Sequence, residues 1–213
     1  MKESIVGYSF PAIYYDFINN CQVNPTNMGV VEEYVFKLLR SKNIIDVKYG
    51  LANVLYWGYA QVGYRDTRVQ RFLNNTTDNQ IKSFQELLLD GAVPDIATIK
   101  NLRLPEFSGM SFVSKIVMFL DPVNYCVLDD KVSNLRNPNC RKALSHLVFG
   151  PNEMRIRISR QNQNVYNAWR EECRAISAQY YQNVYRVVDV ERGFFTLIQT
   201  GEIATAQEIY NDA

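Results

Sequence analysis

Between Leu104 and Val132 the chain reads LPEFSGMSFVSKIVMFLDPVNYCVLDDKV, and the residues able to do chemistry here are Ser111, Lys115, Asp129 and Asp130. Leu104-Pro105 closes a helix expected over Asp95 to Leu102, because proline cannot continue a helix and restrains the residue before it. Gly109 is expected to supply a positive φ in the turn that follows. From Met110 onward Phe112, Val113, Ile116, Val117 and Leu120 recur at helical spacing, which predicts a second helix with one buried face. Its free N–H groups and dipole would face out of the hairpin as a site for a phosphate. Asp121-Pro122 ends that helix, Tyr125 to Leu128 forms a short apolar connection, and Asp129 stands where the next helix is expected to begin. A carboxylate is thus brought near a phosphate-binding hairpin. It can stabilise positive charge on a sugar or orient water, and it can equally be a helix cap.

Taken together, Leu104 to Met110 and the phrase Tyr125-Cys126-Val127-Leu128-Asp129-Asp130-Lys131-Val132 resemble the helix-hairpin-helix DNA glycosylases. The segments Tyr166 to Trp169 and Val188 to Phe195 are similar to the C-terminal part of a bacterial 8-oxoguanine-glycosylase-like group, so the resemblance covers about residues 50 to 200. It implies an all-α fold of two helical lobes with a cleft between them, a single domain over residues 1–213, and a catalytic carboxylate at Asp129. It also implies that Ser108, Gly109, Met110 and Ser111 meet the DNA backbone. Wedge and gap-filling residues are expected from the turn holding Gln61, Tyr64 and Arg65, and a base pocket from Tyr56, Trp57 and Tyr59. For the three aromatics, ordinary core packing is an equal reading, since Leu55, Tyr56 and Tyr59 share helical spacing. Gly58 permits close approach of another helix or of DNA.

The hairpin departs from the family pattern by carrying Glu106-Phe107-Ser108-Gly109, which sets a negative charge where a phosphate is expected. Serine stands at 111, where strand-cutting members carry a nucleophilic lysine. This implies simple base removal, with Lys115, one turn further along the same face, as the lysine able to reach the cleft or to pair with a carboxylate. The implied activity is excision of an oxidised, alkylated or phage-type hypermodified base from double-stranded DNA, in repair or antiphage defence, after flipping of the nucleotide. A noncatalytic DNA-binding protein on the same fold is the alternative.

The composition bounds these readings. A chain of 213 residues with 47% hydrophobic residues can bury a substantial core. With 23 Lys+Arg against 22 Asp+Glu, the formal net charge is +1 and global electrostatics do not advertise a nucleic-acid binder. The distribution is uneven: residues 136–174 hold Arg136, Arg141, Lys142, Arg155, Arg157, Arg160, Arg170 and Arg174 against Glu153, Glu171 and Glu172. That stretch is either a DNA-backbone surface or a solvated helix face. Cys21, Cys126, Cys140 and Cys173 have no paired spacing and read as reduced thiols, with neither an iron–sulfur cluster nor, given the single His146, a metal site. No cofactor is expected. A monomeric, cytoplasmic protein without membrane association is expected.

Helical patterns dominate the elements that must position the site. Helices are expected after Gly29 through Leu39, over Leu51 to Val62, over Thr67 to Leu73 and Asn79 to Leu89 with Asp66 and Asp78 as caps, over Asn139 to Val148 after Pro138, and over Asn164 to Tyr181 and Val188 to Gln199. Short strand-like alternation is confined to Ile44 to Tyr49 and Met154 to Ile158, and Gly150-Pro151 is expected to break the chain. Asp189, Glu191, Arg192, Tyr166 and Trp169 read as packing and ion-pair residues holding the C-terminal helices near the cleft, with lining of the base pocket as the alternative.

Overall fold

A computed structural model describes residues 1–150 and 155–213. Its helices in chain order are α1 (Lys2–Val6), α2 (Met28–Leu39), α3 (Ile44–Gly58), α4 (Arg65–Asn75), α5 (Asp78–Leu87), α6 (Ile96–Asn101), α7 (Met110–Leu120), α8 (Arg160–Tyr181), α9 (Val187–Gln199) and α10 (Ile203–Asp212). A small antiparallel hairpin, β1 (Tyr14–Asp16) and β2 (Cys21–Val23), precedes α2. Among the described residues the fold is therefore all-α apart from this hairpin and two isolated bridges.

Two elements sit at the centre. In α3, Val47, Leu51, Val54 and Leu55 are fully buried, and in α7 so are Val113, Ile116, Val117, Met118 and Phe119. Both helices lack an exposed apolar stripe because they are covered on most sides, so their sequences are close to uniformly hydrophobic. The hairpin β1–β2 is tied to α3 through Asn53, whose side chain accepts from Tyr15 N–H at 2.7 Å and donates to Tyr15 C=O at 3.0 Å. A polar residue buried this deeply persists because its donors and acceptor are paired.

Several expectations are corrected. Ile44 to Tyr49 is the first part of α3 and not a strand: Asn43 caps the helix by accepting from Ile45 N–H, and the helix ends at Gly58 and does not run to Val62. Helix α5 is capped by Thr77 in a capping box with Gln80, and Asp78 is its first residue. Helix α4 begins at Arg65, so Asp66 lies inside its first turn. After Pro138 there is no α-helix over Asn139 to Val148, only a short 3-10 turn at Ala143–His146. The expected strand from Met154 and the break at Gly150-Pro151 fall partly outside the described residues. Of the rest, Ile156 bridges Phe149 and Arg157 bridges Gly109.

The largest correction concerns the turn before α7. Gly109 is extended (φ −115°, ψ 162°), and the left-handed residues are Arg103 (φ 52°) and Glu106 (φ 68°). A non-glycine residue in that region costs about 1–2 kcal/mol, so something must hold Glu106 there. The carboxylate of Glu106 does so by pairing with Arg68 at 2.9 Å and Arg71 at 3.5 Å, both on α4.

Candidate active site

Helix α7 carries Lys115 into the interior. The side chain is nearly fully buried, and its Nζ donates to Ser111 Oγ at 3.0 Å and Ser111 C=O at 3.2 Å and lies 3.5 Å from Asp129 Oδ2. The other carboxylate oxygen of Asp129 accepts from the N–H groups of Lys131 and Val132, each at 3.1 Å, at the entry to the 3-10 turn Val132–Leu135. These bonds and the ammonium contact thus use different oxygens of one side chain, and the backbone N–H pair fixes its direction.

The segment that delivers Asp129 has no regular structure, yet it is held along its length. Tyr166 donates to Cys126 C=O at 2.9 Å and Trp169 Nε1 to Val127 C=O at 3.3 Å, both from α8. Ser114 Oγ accepts from Leu128 N–H at 3.1 Å. Cys126, Val127 and Leu128 are buried, so these bonds satisfy polar groups that water does not reach. Tyr166 and Trp169, read from the sequence as packing residues, therefore also set the backbone that leads to the carboxylate.

A cleft of about 400 Å³ opens over this pair, lined by Tyr59, Gln61, Tyr64, Ser111, Phe112, Lys115, Asp129, Lys131 and Phe195 among others. Behind it is a smaller cavity of about 40 Å³ walled by Tyr8, Phe10, Trp57, Gly58, Lys115, Val127, Asp129, Glu191 and Phe195. Tyr59 packs on Phe112 with ring centroids 4.4 Å apart and on Tyr64 at 5.5 Å, making an aromatic rim. Helix α3 approaches α7 this closely because residue 58 is glycine: a Cβ there would lie 2.5 Å from Phe112 Cε1 and 3.2 Å from Lys115 Cδ.

The residues singled out from sequence divide accordingly. Asp129, Lys115, Ser111, Gln61, Tyr64 and Tyr59 share the cleft, and Trp57 lies on the inner cavity. Tyr56 lines neither. Its hydroxyl donates to Gln22 at 2.6 Å, and the Arg65 guanidinium covers its ring at 3.9 Å, which also holds Arg65 back from the cleft. Met110 is fully buried, and its N–H, expected to be open, donates to Ile156 C=O at 3.1 Å. That bond lays Arg155 and Arg157, both exposed, against the hairpin where Ser108 and Gly109 stand.

Glu191, read from the sequence as a packing or pocket-lining residue near the cleft, lines the inner cavity. Burial raises it to about 8, with the charge of Asp129 adding to the rise and those of Arg192 and Lys115 opposing it. It is fixed by its helix: Arg192 pairs with Glu32 of α2 at 2.6 Å, and Arg186 bridges the same glutamate at 2.6 Å and Asp189 at 2.8 Å. Tyr8 and Phe10 were missed, since nothing in the pattern of the first ten residues marks them as walls of a distant site. Burial keeps the Tyr8 phenol in its neutral form well above its usual range.

Among the described residues no cluster of His, Cys, Asp and Glu could hold a metal ion, and no helix is long and apolar enough to cross a membrane. Compared with known proteins, the chain matches no family model, no curated protein and no solved structure.

Proposed function

We propose that the protein is a DNA glycosylase of the helix-hairpin-helix kind, taking a flipped base from double-stranded DNA into the cleft above Lys115 and Asp129. The observation that carries this reading is the 3.5 Å approach of Lys115 Nζ to Asp129 Oδ2 at the floor of that cleft. Breaking an N-glycosidic bond builds positive charge on the sugar, and Asp129 offers the carboxylate that stabilises it. Lys115 offers an amine to capture the anomeric carbon. Simple base removal was argued from Ser111, and Lys115 sits against Ser111 and reaches the same carboxylate, so we assign the nucleophile to Lys115 and expect strand cutting through a Schiff base.

Three further features support the reading. The cleft volume lies in the range of small-ligand pockets, about 300–1,000 Å³. The aromatic rim of Tyr59, Tyr64 and Phe112 offers faces on which bases stack. Arg155 and Arg157 lie beside the hairpin, where a phosphate would be drawn. Glu106, which sets a negative charge where a phosphate is expected, has that charge met by Arg68 and Arg71.

The test is base release from duplexes carrying oxidised, deaminated, alkylated and phage-type modified bases, with borohydride trapping of any covalent adduct. Release and trapping by the parent are expected, with trapping lost in Lys115→Ala. Asp129→Asn should lower release by about 10²–10³-fold or more while DNA binding persists. Silence of the parent across the panel, with salt-sensitive binding retained, would leave only the binder.

A further inference from the structure

The cavity behind the Lys115–Asp129 pair contains a second carboxyl. Its volume of about 40 Å³ is too small for a purine or pyrimidine ring but exceeds what one water needs, roughly 10–15 Å³, and it shares Phe10, Gly58, Lys115, Asp129 and Phe195 with the outer cleft, so it borders the space a base would occupy there. Glu191 forms part of its wall beside Asp129 and is only 3% exposed. On the same wall stands Trp57, whose indole N–H is buried and, among the described residues, lacks an acceptor.

We propose that Glu191 is the proton donor to the departing base. The inference rests on the base-excision reading above and adds a group to it. As the bond between the anomeric carbon and the base nitrogen breaks, its electron pair leaves with the base. The carboxyl proton of Glu191 passes to the base, which departs neutral, and the resulting carboxylate recovers a proton from solvent. Lys115 first loses its ammonium proton to solvent; the positive charge left on the sugar, facing Asp129, then accepts the lone pair of the free amine, and the adduct nitrogen sheds a second proton to solvent. Two carboxyls thereby take opposite parts: Asp129 has both oxygens committed as acceptors, to Lys131 and Val132 N–H and to the Lys115 ammonium, and Glu191 is kept protonated by its surroundings.

The groups that set Glu191's proton come from every element around it. Asp129 and burial favour the neutral form, while Lys115 of α7, Arg192 of α9 and the Val127 N–H favour the charged one. Tyr8 lies on the cavity wall, and the Cys126 and Cys173 thiols and the Tyr166 phenol lie behind, all held neutral by burial.

Single-turnover release from the duplex that the excision panel identifies tests this, measured from pH 6 to 9.5 with the parent and Glu191→Gln. The parent's rate should fall as pH rises past about 8, where Glu191 loses its proton. Glu191→Gln should be slower by about 10²–10⁴-fold and lack that alkaline fall, while still forming the trapped adduct. A variant within threefold of the parent, or one with the same alkaline fall, overturns the assignment. Should the variant not fold, a parent profile flat to pH 9.5 overturns it as well. Absence of release by the parent overturns the base-excision reading itself, and the role of Glu191 with it.

Discussion

Ser114 accepts a hydrogen bond from Leu128 N–H, so the residue before Lys115 is joined directly to the residue before Asp129. Lys115 and Asp129 are thereby held in register by one hydroxyl between a helix and an irregular segment. Ser114→Ala leaves the Leu128 N–H buried without its acceptor. A loss of about 1–3 kcal/mol in urea denaturation is expected. The rate of base release should fall by more than the lost fraction of folded protein explains, and equal losses would show that the bond serves stability only.

Gly58 lets Phe112 and Lys115 occupy the space a side chain would take. Gly58→Ala should be destabilising by about 1–3 kcal/mol through overpacking, against the gain of up to about 1 kcal/mol that alanine gives a helix. Relief comes by moving Phe112 or Lys115, so the adduct trapped by borohydride should decline more than duplex binding does. A variant that traps at the parent's rate would show that the cleft tolerates the extra methyl.

Glu106 is held in a left-handed conformation with 7% of its side chain exposed, by two arginines of α4. Glu106→Gly removes the backbone strain together with the ion pairs, so stability should stay within about 1 kcal/mol of the parent. It frees Arg68 and Arg71 beside the hairpin. Tighter duplex binding with a steeper salt dependence is expected in a titration from low to high salt. An unchanged slope would place those arginines away from the phosphates.

Helix α9 carries two carboxylates shifted in opposite directions, two residues apart. Burial raises Asp189, but the guanidinium and backbone N–H of Arg186 outweigh it and hold Asp189 below its usual range. A depressed carboxylate contributes stability that is present above its unfolded value, about 4, and lost as pH falls through the folded one. Glu191, raised to about 8, contributes stability present below its unfolded value, about 4, and lost as pH rises through 8. Thermal melts should therefore show Asp189→Asn blunting the acid loss and Glu191→Gln gaining on the parent between pH 6 and 9. Parallel pH curves for all three proteins would contradict both assignments.

What could be read in the sequence follows physical range. Helix α7 was legible to its ends because a repeating apolar face and the Asp121-Pro122 stop are local signals. Ile44 to Tyr49 misled because alternation over six residues is also what a helix start looks like when it is buried on several sides. Asp129 was placed by a short phrase around it, and Lys115, one turn beyond Ser111 on the same face, was named as the lysine able to reach the cleft or a carboxylate; it stands 3.5 Å from Asp129 Oδ2, though spacing alone could not say which carboxylate fourteen residues on it would meet. Tyr8 and Phe10 were out of reach, and Glu191 was left without a particular role, because their part in the cavity is made by packing between distant stretches, α1 and its following residues against α9.

That packing has a consequence for how the protein is made. Tyr8 meets Phe195 with ring centroids 5.9 Å apart, and both line the cavity with Lys115 and Asp129 between them in the chain. During synthesis Lys115 and Asp129 emerge after the Tyr8, Phe10 and Trp57 side of the wall and before its α9 side. A nascent chain halted ahead of α9 holds Lys115 and Asp129 but neither Glu191 nor Phe195, so the proposed chemistry waits for α9 to emerge.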